Sequence, residues 1–70
     1  MMPSRQVKIS ISDLESHFQE FLTFMHKNGV VIFGKMSSIE GNKILCQNSS
    51  MKSVIIFRSE LDEVWKDIQT

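Results

Sequence analysis

The stretch Ser12-Asp13-Leu14-Glu15-Ser16-His17-Phe18-Gln19-Glu20-Phe21-Leu22-Thr23-Phe24-Met25 decides the fold class of this 70-residue chain. Ser12 followed three residues later by Glu15 has the pattern of a capping box, in which two side chains satisfy the free amides of a helix start. Behind it Leu14, Phe18, Phe21, Leu22 and Met25 recur at helical spacing and make one apolar stripe. Phe24 and His17 sit beside that stripe and widen it. Asn28-Gly29 then supplies residues that tolerate the left-handed conformation closing a helix. The reading is an amphipathic helix from Ser12 to about Asn28.

Working outward, Val7, Ile9 and Ile11 alternate with Lys8 and Ser10, the pattern of a half-buried strand. Val30 to Phe33 is continuously apolar and reads as a strand running on toward Ser37 or Ser38. Glu40-Gly41-Asn42-Lys43 suits a tight hairpin turn, and Ile44, Leu45 and Cys46 form the returning strand. Asn48-Ser49-Ser50 marks a loop before the apolar strand Val54-Ile55-Ile56-Phe57. Ser59-Glu60-Leu61-Asp62 resembles a second helix start, with Leu61, Val64, Trp65 and Ile68 as its apolar face. The predicted order is β-α-β-β-β-α. That is an α+β domain: an antiparallel sheet with the long helix on one face and a short C-terminal helix. Residues 1–6 read as an N-terminal tail and 7–70 as one domain. The expected core is Ile9, Ile11, Leu14, Phe18, Phe21, Met25, Val30, Ile32, Val54, Ile56, Leu61 and Trp65.

A chain this short buries only about 60% of the surface its unfolded form exposes. Small domains usually make up the deficit with disulfides, a metal or a partner. Cys46 is the only cysteine, which excludes an internal disulfide and a thiolate metal cage. Between Leu45 and Gln47 it reads as a small buried hydrophobe. A second subunit or a partner protein is therefore the expected source of extra stability.

The later strands strengthen this expectation, because they are apolar on both faces. One face takes the helix. The other would carry Val31, Phe33, Leu45, Ile55 and Phe57, with Phe24 as a further candidate contact. Either the C-terminal helix covers these residues in a closed monomer, or another subunit does, making a homodimer.

Eight basic and eight acidic residues cancel, with a pI near 6.7. That balance argues against direct contact with nucleic acid, which needs clustered Lys and Arg. The N-terminal Met1-Met2-Pro3-Ser4-Arg5 lacks the apolar segment of a signal peptide, and no stretch reaches the length of a membrane span. The expected compartment is cytoplasm or nucleus. His17 and His26 lie nine apart and do not share a helix face, so they make no metal pair. Asp13 with Glu15, and Asp62 with Glu63 and Asp67, read as solvated helix charges rather than an acid–base pair. No phosphate loop or nucleophile elbow appears. The sequence points to no enzyme activity, no cofactor and no metal.

Asn48-Ser49-Ser50, then Val54-Ile55-Ile56-Phe57, then Ser59-Glu60-Leu61 running to Trp65, resemble the N-terminal segments of the sliding DNA clamp family. That family includes proliferating-cell nuclear antigen and the checkpoint clamp. Gly41 falls where clamps turn between their second and third strands, and the likeness spans Val7 to Trp65. It implies repeated β-α-β-β-β units and assembly through a sheet. The chain departs from clamps in holding a single unit, and in predicted helices that carry Asp13, Glu15, Glu20, Asp62, Glu63 and Asp67 against only Lys27 and Lys66. The resemblance therefore bears on self-assembly more than on DNA encirclement. The leading expectation is a non-enzymatic protein–protein interaction module that self-assembles or binds a partner through its sheet. The alternatives are a phage- or mobile-element-encoded inhibitor of a host enzyme or defence protein, and a clamp-like DNA-tethering subunit.

Overall fold

In the computed structural model, which describes residues 4–69, most of the chain is antiparallel strand. It runs β1 (Ser4–Ile9), a 3-10 helix (Ile11–His17), β2 (Phe21–His26), β3 (Val31–Glu40), β4 (Lys43–Asn48) and β5 (Ser53–Phe57). A 3-10 turn (Arg58–Glu60) then leads into β6 (Leu61–Gln69). The strands form one antiparallel sheet in the order β1-β6-β2-β3-β4-β5. Ser4, Arg5 and Gln6, assigned from sequence to the tail, belong to β1; Met1 to Pro3 lie outside the described residues.

This overturns the α+β expectation at both predicted helices. Only Ile11–His17 of the first is helical, and it is 3-10. Gln19 takes a φ of 66°, which stops any helix there, and the chain turns into β2. The capping box does not form either. The residue before the helical segment is Ser10, with no side-chain cap, and Glu15 reaches across to Arg58 instead. In β2, Leu22 and Phe24 point inward while Phe21, Thr23 and Met25 point outward. The helical spacing of Phe18, Phe21, Leu22 and Met25 was therefore a coincidence of residue order. Pairing with β3 on one side and β6 on the other satisfies the backbone of β2 and buries Leu22 and Phe24 completely, and this tertiary context overrides local helix propensity.

The C-terminal segment errs for a sharper reason. Between Met25 and His26 the β2–β6 register shifts: Glu63 faces Met25 and Leu61 faces His26, so Asp62 is the extra residue of a bulge. A bulge lets positions three apart face the same side. Leu61 and Val64 are thereby both buried, and their spacing imitates a helix. β3 repeats the device at Ser37, where Met36 pairs with Cys46 and Ser38 with Leu45. β6 is a central strand between β1 and β2, so it cannot lie over the sheet as a cover.

The core is Ile9, Leu14, Leu22, Phe24, Met36, Ile44, Cys46, Ile56, Leu61 and Val64, with Val7, Ile11, Ile32, Ile39 and Val54 packed against it. No long helix covers these side chains, which gather on the inner face of the sheet. Leu14 on the 3-10 helix is fully buried with them. Of the expected core residues, Phe18, Phe21 and Val30 are exposed instead. The two bulges bend β6 and β3 locally.

Gly34 sits on the inner face, between Leu22 of β2 and Asn48 of β4. A Cβ there would overlap Cys46 Sγ and lie 2.6 Å from the Gln47 carbonyl oxygen, so only glycine lets β3 and β4 approach this closely. The turns follow their residues. Gly29 and Gly41 take φ of 91° and 58°, conformations that glycine adopts without a Cβ clash. Asn42 ties the β3–β4 turn to the 3-10 turn before β6: its Oδ1 accepts from the Ser59 amide at 2.8 Å, and its carbonyl accepts from the Arg58 amide at 2.7 Å.

Candidate protein–protein interface

Strand alternation assigns each residue of the outer face. Val64 pairs with both Ile9 and Phe24 inside, so Trp65, Lys8 and Thr23 face outward, followed by Phe33 across β3. Ile44 and Cys46 pair with Ile56 and Val54 inside, so Leu45, Ile55 and Phe57 face outward. Of the candidates named from sequence, Val31, Phe33, Ile55 and Phe57 are 55, 46, 50 and 42% exposed, and Leu45 is half-buried. All five lie on the outer face. Phe24 does not: it is fully buried opposite Ile32 and Val64, so it belongs to the core and is no interface residue.

The five fall into two groups separated by polar side chains. On β3, Val31 and Phe33 lie beside Met25 and Phe21, and the rings of Phe21 and Phe33 stack with centroids 5.8 Å apart. On the β4–β5 side, Leu45 lies beside Ile55, and Phe57 beside Lys43. Between the groups stand Lys35 and Gln47, themselves a cross-strand pair. Phe21, Lys35, Gln47, Asn48, Ser49 and Met51 line a shallow groove of about 390 Å³. Asn48 builds its wall: its Oδ1 accepts from the amides of Ser50 and Lys52, folding the loop and turning Met51 outward at 76% exposure.

Phe21 and Met51 belong to this surface and were not read from sequence as doing so. Phe21 was assigned to the core. The signal available was period-two alternation, Phe21-Leu22-Thr23-Phe24-Met25, competing with the helical stripe.

The ionisable groups form ion pairs on the strands and on the 3-10 segments between them. His17 Nδ1 is 2.9 Å from Glu20 Oε1, and that same oxygen accepts from Lys66 Nζ at 2.8 Å. The Lys66 hydrogen bond, then that of His17, holds the Glu20 carboxyl below the usual carboxylate range. The hydrogen bond from Arg58 does the same for Glu15, and that from Trp65 for Glu63. Burial pushes the Cys46 thiol up, away from a reactive thiolate. Among the described residues no three His, Cys, Asp or Glu side chains come together as a metal group would need. No helix among them is long and apolar enough to cross a membrane.

No family model, curated protein or solved structure matches this chain.

Proposed function

We propose that this chain is a non-catalytic protein–protein interaction module that self-associates through the outer face of its sheet. The observation that carries the reading is the exposure of two apolar groups on the outer face, stacked Phe21 and Phe33 with Val31, and Ile55 with Phe57, on either side of Lys35 and Gln47. Their cover cannot come from the C-terminal segment, which is β6 inside the sheet. Several large apolar side chains exposed together on one sheet face, rimmed by polar residues, mark an interaction site. Stacked phenylalanines also supply the anchor chemistry common at the centres of interfaces.

Sedimentation velocity across a concentration series tests this, with Phe33→Glu beside the parent. The parent should sediment as a mass-action mixture whose average size grows with concentration. Phe33→Glu should stay folded, since Phe33 is half exposed, and should sediment as a monomer. A parent that is monomeric at every concentration overturns the proposal.

A further inference from the structure

We infer that Asn28 is a site of spontaneous covalent modification, converted by water to aspartate and isoaspartate through a succinimide closed with Gly29. The chain holds three asparagines, Asn28, Asn42 and Asn48, and only Asn28 is followed by glycine. Ring closure needs the backbone nitrogen of the next residue to reach the asparagine Cγ. A Cβ on that residue stands in the way, and glycine has none. Lys43 and Ser49 carry one after Asn42 and Asn48.

Local structure separates the three further. Asn42 has both side-chain polar atoms engaged: Oδ1 accepts from the Ser59 amide at 2.8 Å and Nδ2 donates to the Ser59 hydroxyl at 3.2 Å. Asn48 is half-buried, and its Oδ1 holds the amides of Ser50 and Lys52. Asn28 is exposed in the β2–β3 turn, where its Oδ1 accepts from the Val30 amide at 3.1 Å. Its Nδ2, the group that leaves, has no partner among the described residues. The Val30 N–H polarises the Cγ carbonyl and stands where the oxyanion of ring closure develops. What restrains the reaction is the nucleophile. The Gly29 N–H donates to the His26 carbonyl at 3.0 Å, and a carbonyl does not take up the proton. The turn must therefore open at Gly29 first. Lys27 to Val30 are all exposed, and such hairpin ends open at far lower cost than a core.

The atoms balance with water alone. Hydroxide takes the Gly29 amide proton, the bond from Gly29 N to Asn28 Cγ forms, and the Cγ–Nδ2 bond breaks to release ammonia. Water then opens the ring. Attack at Cγ gives aspartate at position 28, and attack at the Asn28 backbone carbonyl carbon gives isoaspartate. The products differ in the turn. Aspartate keeps an Oδ1 to accept from Val30. Isoaspartate routes the backbone through Cγ and adds one methylene between His26 and Val30, whose amide-to-carbonyl hydrogen bond of 2.8 Å closes the turn. The start of β3, where Val31 pairs with Met25, is then held less firmly.

The experiment incubates the folded full chain at neutral and mildly alkaline pH and maps its peptides by mass spectrometry that separates aspartate from isoaspartate. Position 28 should convert at least about ten-fold faster than positions 42 and 48, to both products. The rate should rise in proportion to hydroxide, and Asn28→Gln, whose longer side chain does not close the five-membered ring, should leave position 28 unmodified. Separated by ion exchange, the isoaspartate form should unfold at a lower urea concentration than Asn28→Asp, which keeps the acceptor for Val30. Conversion first at Asn42 or Asn48, aspartate formed without isoaspartate, or no conversion at all overturns the site. Equal urea midpoints for the isoaspartate form and Asn28→Asp overturn its effect on the turn.

Discussion

Gly34→Ala adds one methyl group at the tightest point of the sheet. The new Cβ would overlap Cys46 Sγ and stand 2.6 Å from the Gln47 oxygen and 3.1 Å from the Gln47 carbonyl carbon. The sulfur belongs to a buried side chain with little room to turn, and the carbonyl is ladder backbone with none. Relief requires β3 and β4 to separate where Gly34 faces Asn48. Overpacking of this kind typically costs about 1–3 kcal/mol, and contact with backbone favours the upper end, about 2–3 kcal/mol. Ala has no conformational penalty of its own here, because Gly34 does not take a left-handed φ. A chain of 70 residues holds roughly 4–10 kcal/mol of stability in all. The loss is a large part of it, and the melting temperature should fall by roughly 10–20 °C. Urea unfolding at one fixed low concentration measures this without a contribution from association. Cys46→Ala in the Gly34→Ala background should recover part of the loss, since it removes the sulfur clash and leaves the carbonyl clash. A cost below about 1 kcal/mol for Gly34→Ala, or no coupling between the two sites, would refute the close approach of β3 and β4.

Phe24→Ala should cost about 3–5 kcal/mol, while Phe21→Ala, removing a ring 55% exposed, should cost under about 1 kcal/mol in the same denaturant assay. The reverse ranking would restore the helical reading of residues 12–25. Glu20 has its folded-state pKa lowered, by Lys66 first and His17 second. Its contribution is therefore present above the unfolded carboxylate value of about 4.3 and is lost as pH falls through the lower folded value. The urea midpoint of the parent should drop in that acid range, and that of Glu20→Gln should drop less. Identical acid limbs would show that the Lys66 and His17 contacts do not form in solution.

The parts of this fold legible in the sequence are those set by neighbouring residues. Gly41-Asn42 required a tight turn, the apolar β-branched runs at Val30 to Phe33 and Val54 to Phe57 required strands, and the lone Cys46 between apolar neighbours required burial. The two-sided apolar strands also placed Val31, Phe33, Leu45, Ile55 and Phe57 on one outer face, because strand alternation is a local rule. What tertiary structure decided was every segment whose apolar spacing fits two periods. Residues 18–25 satisfy a helical stripe, yet Leu22 and Phe24 satisfy strand alternation, and only pairing with both β3 and β6 selects the strand. Leu61 and Val64 look helical because the bulge at Asp62 adds one residue between two inward positions. That bulge is set by the pairing of β6 with β2, which joins residues far apart in the sequence and is carried by no short segment of it.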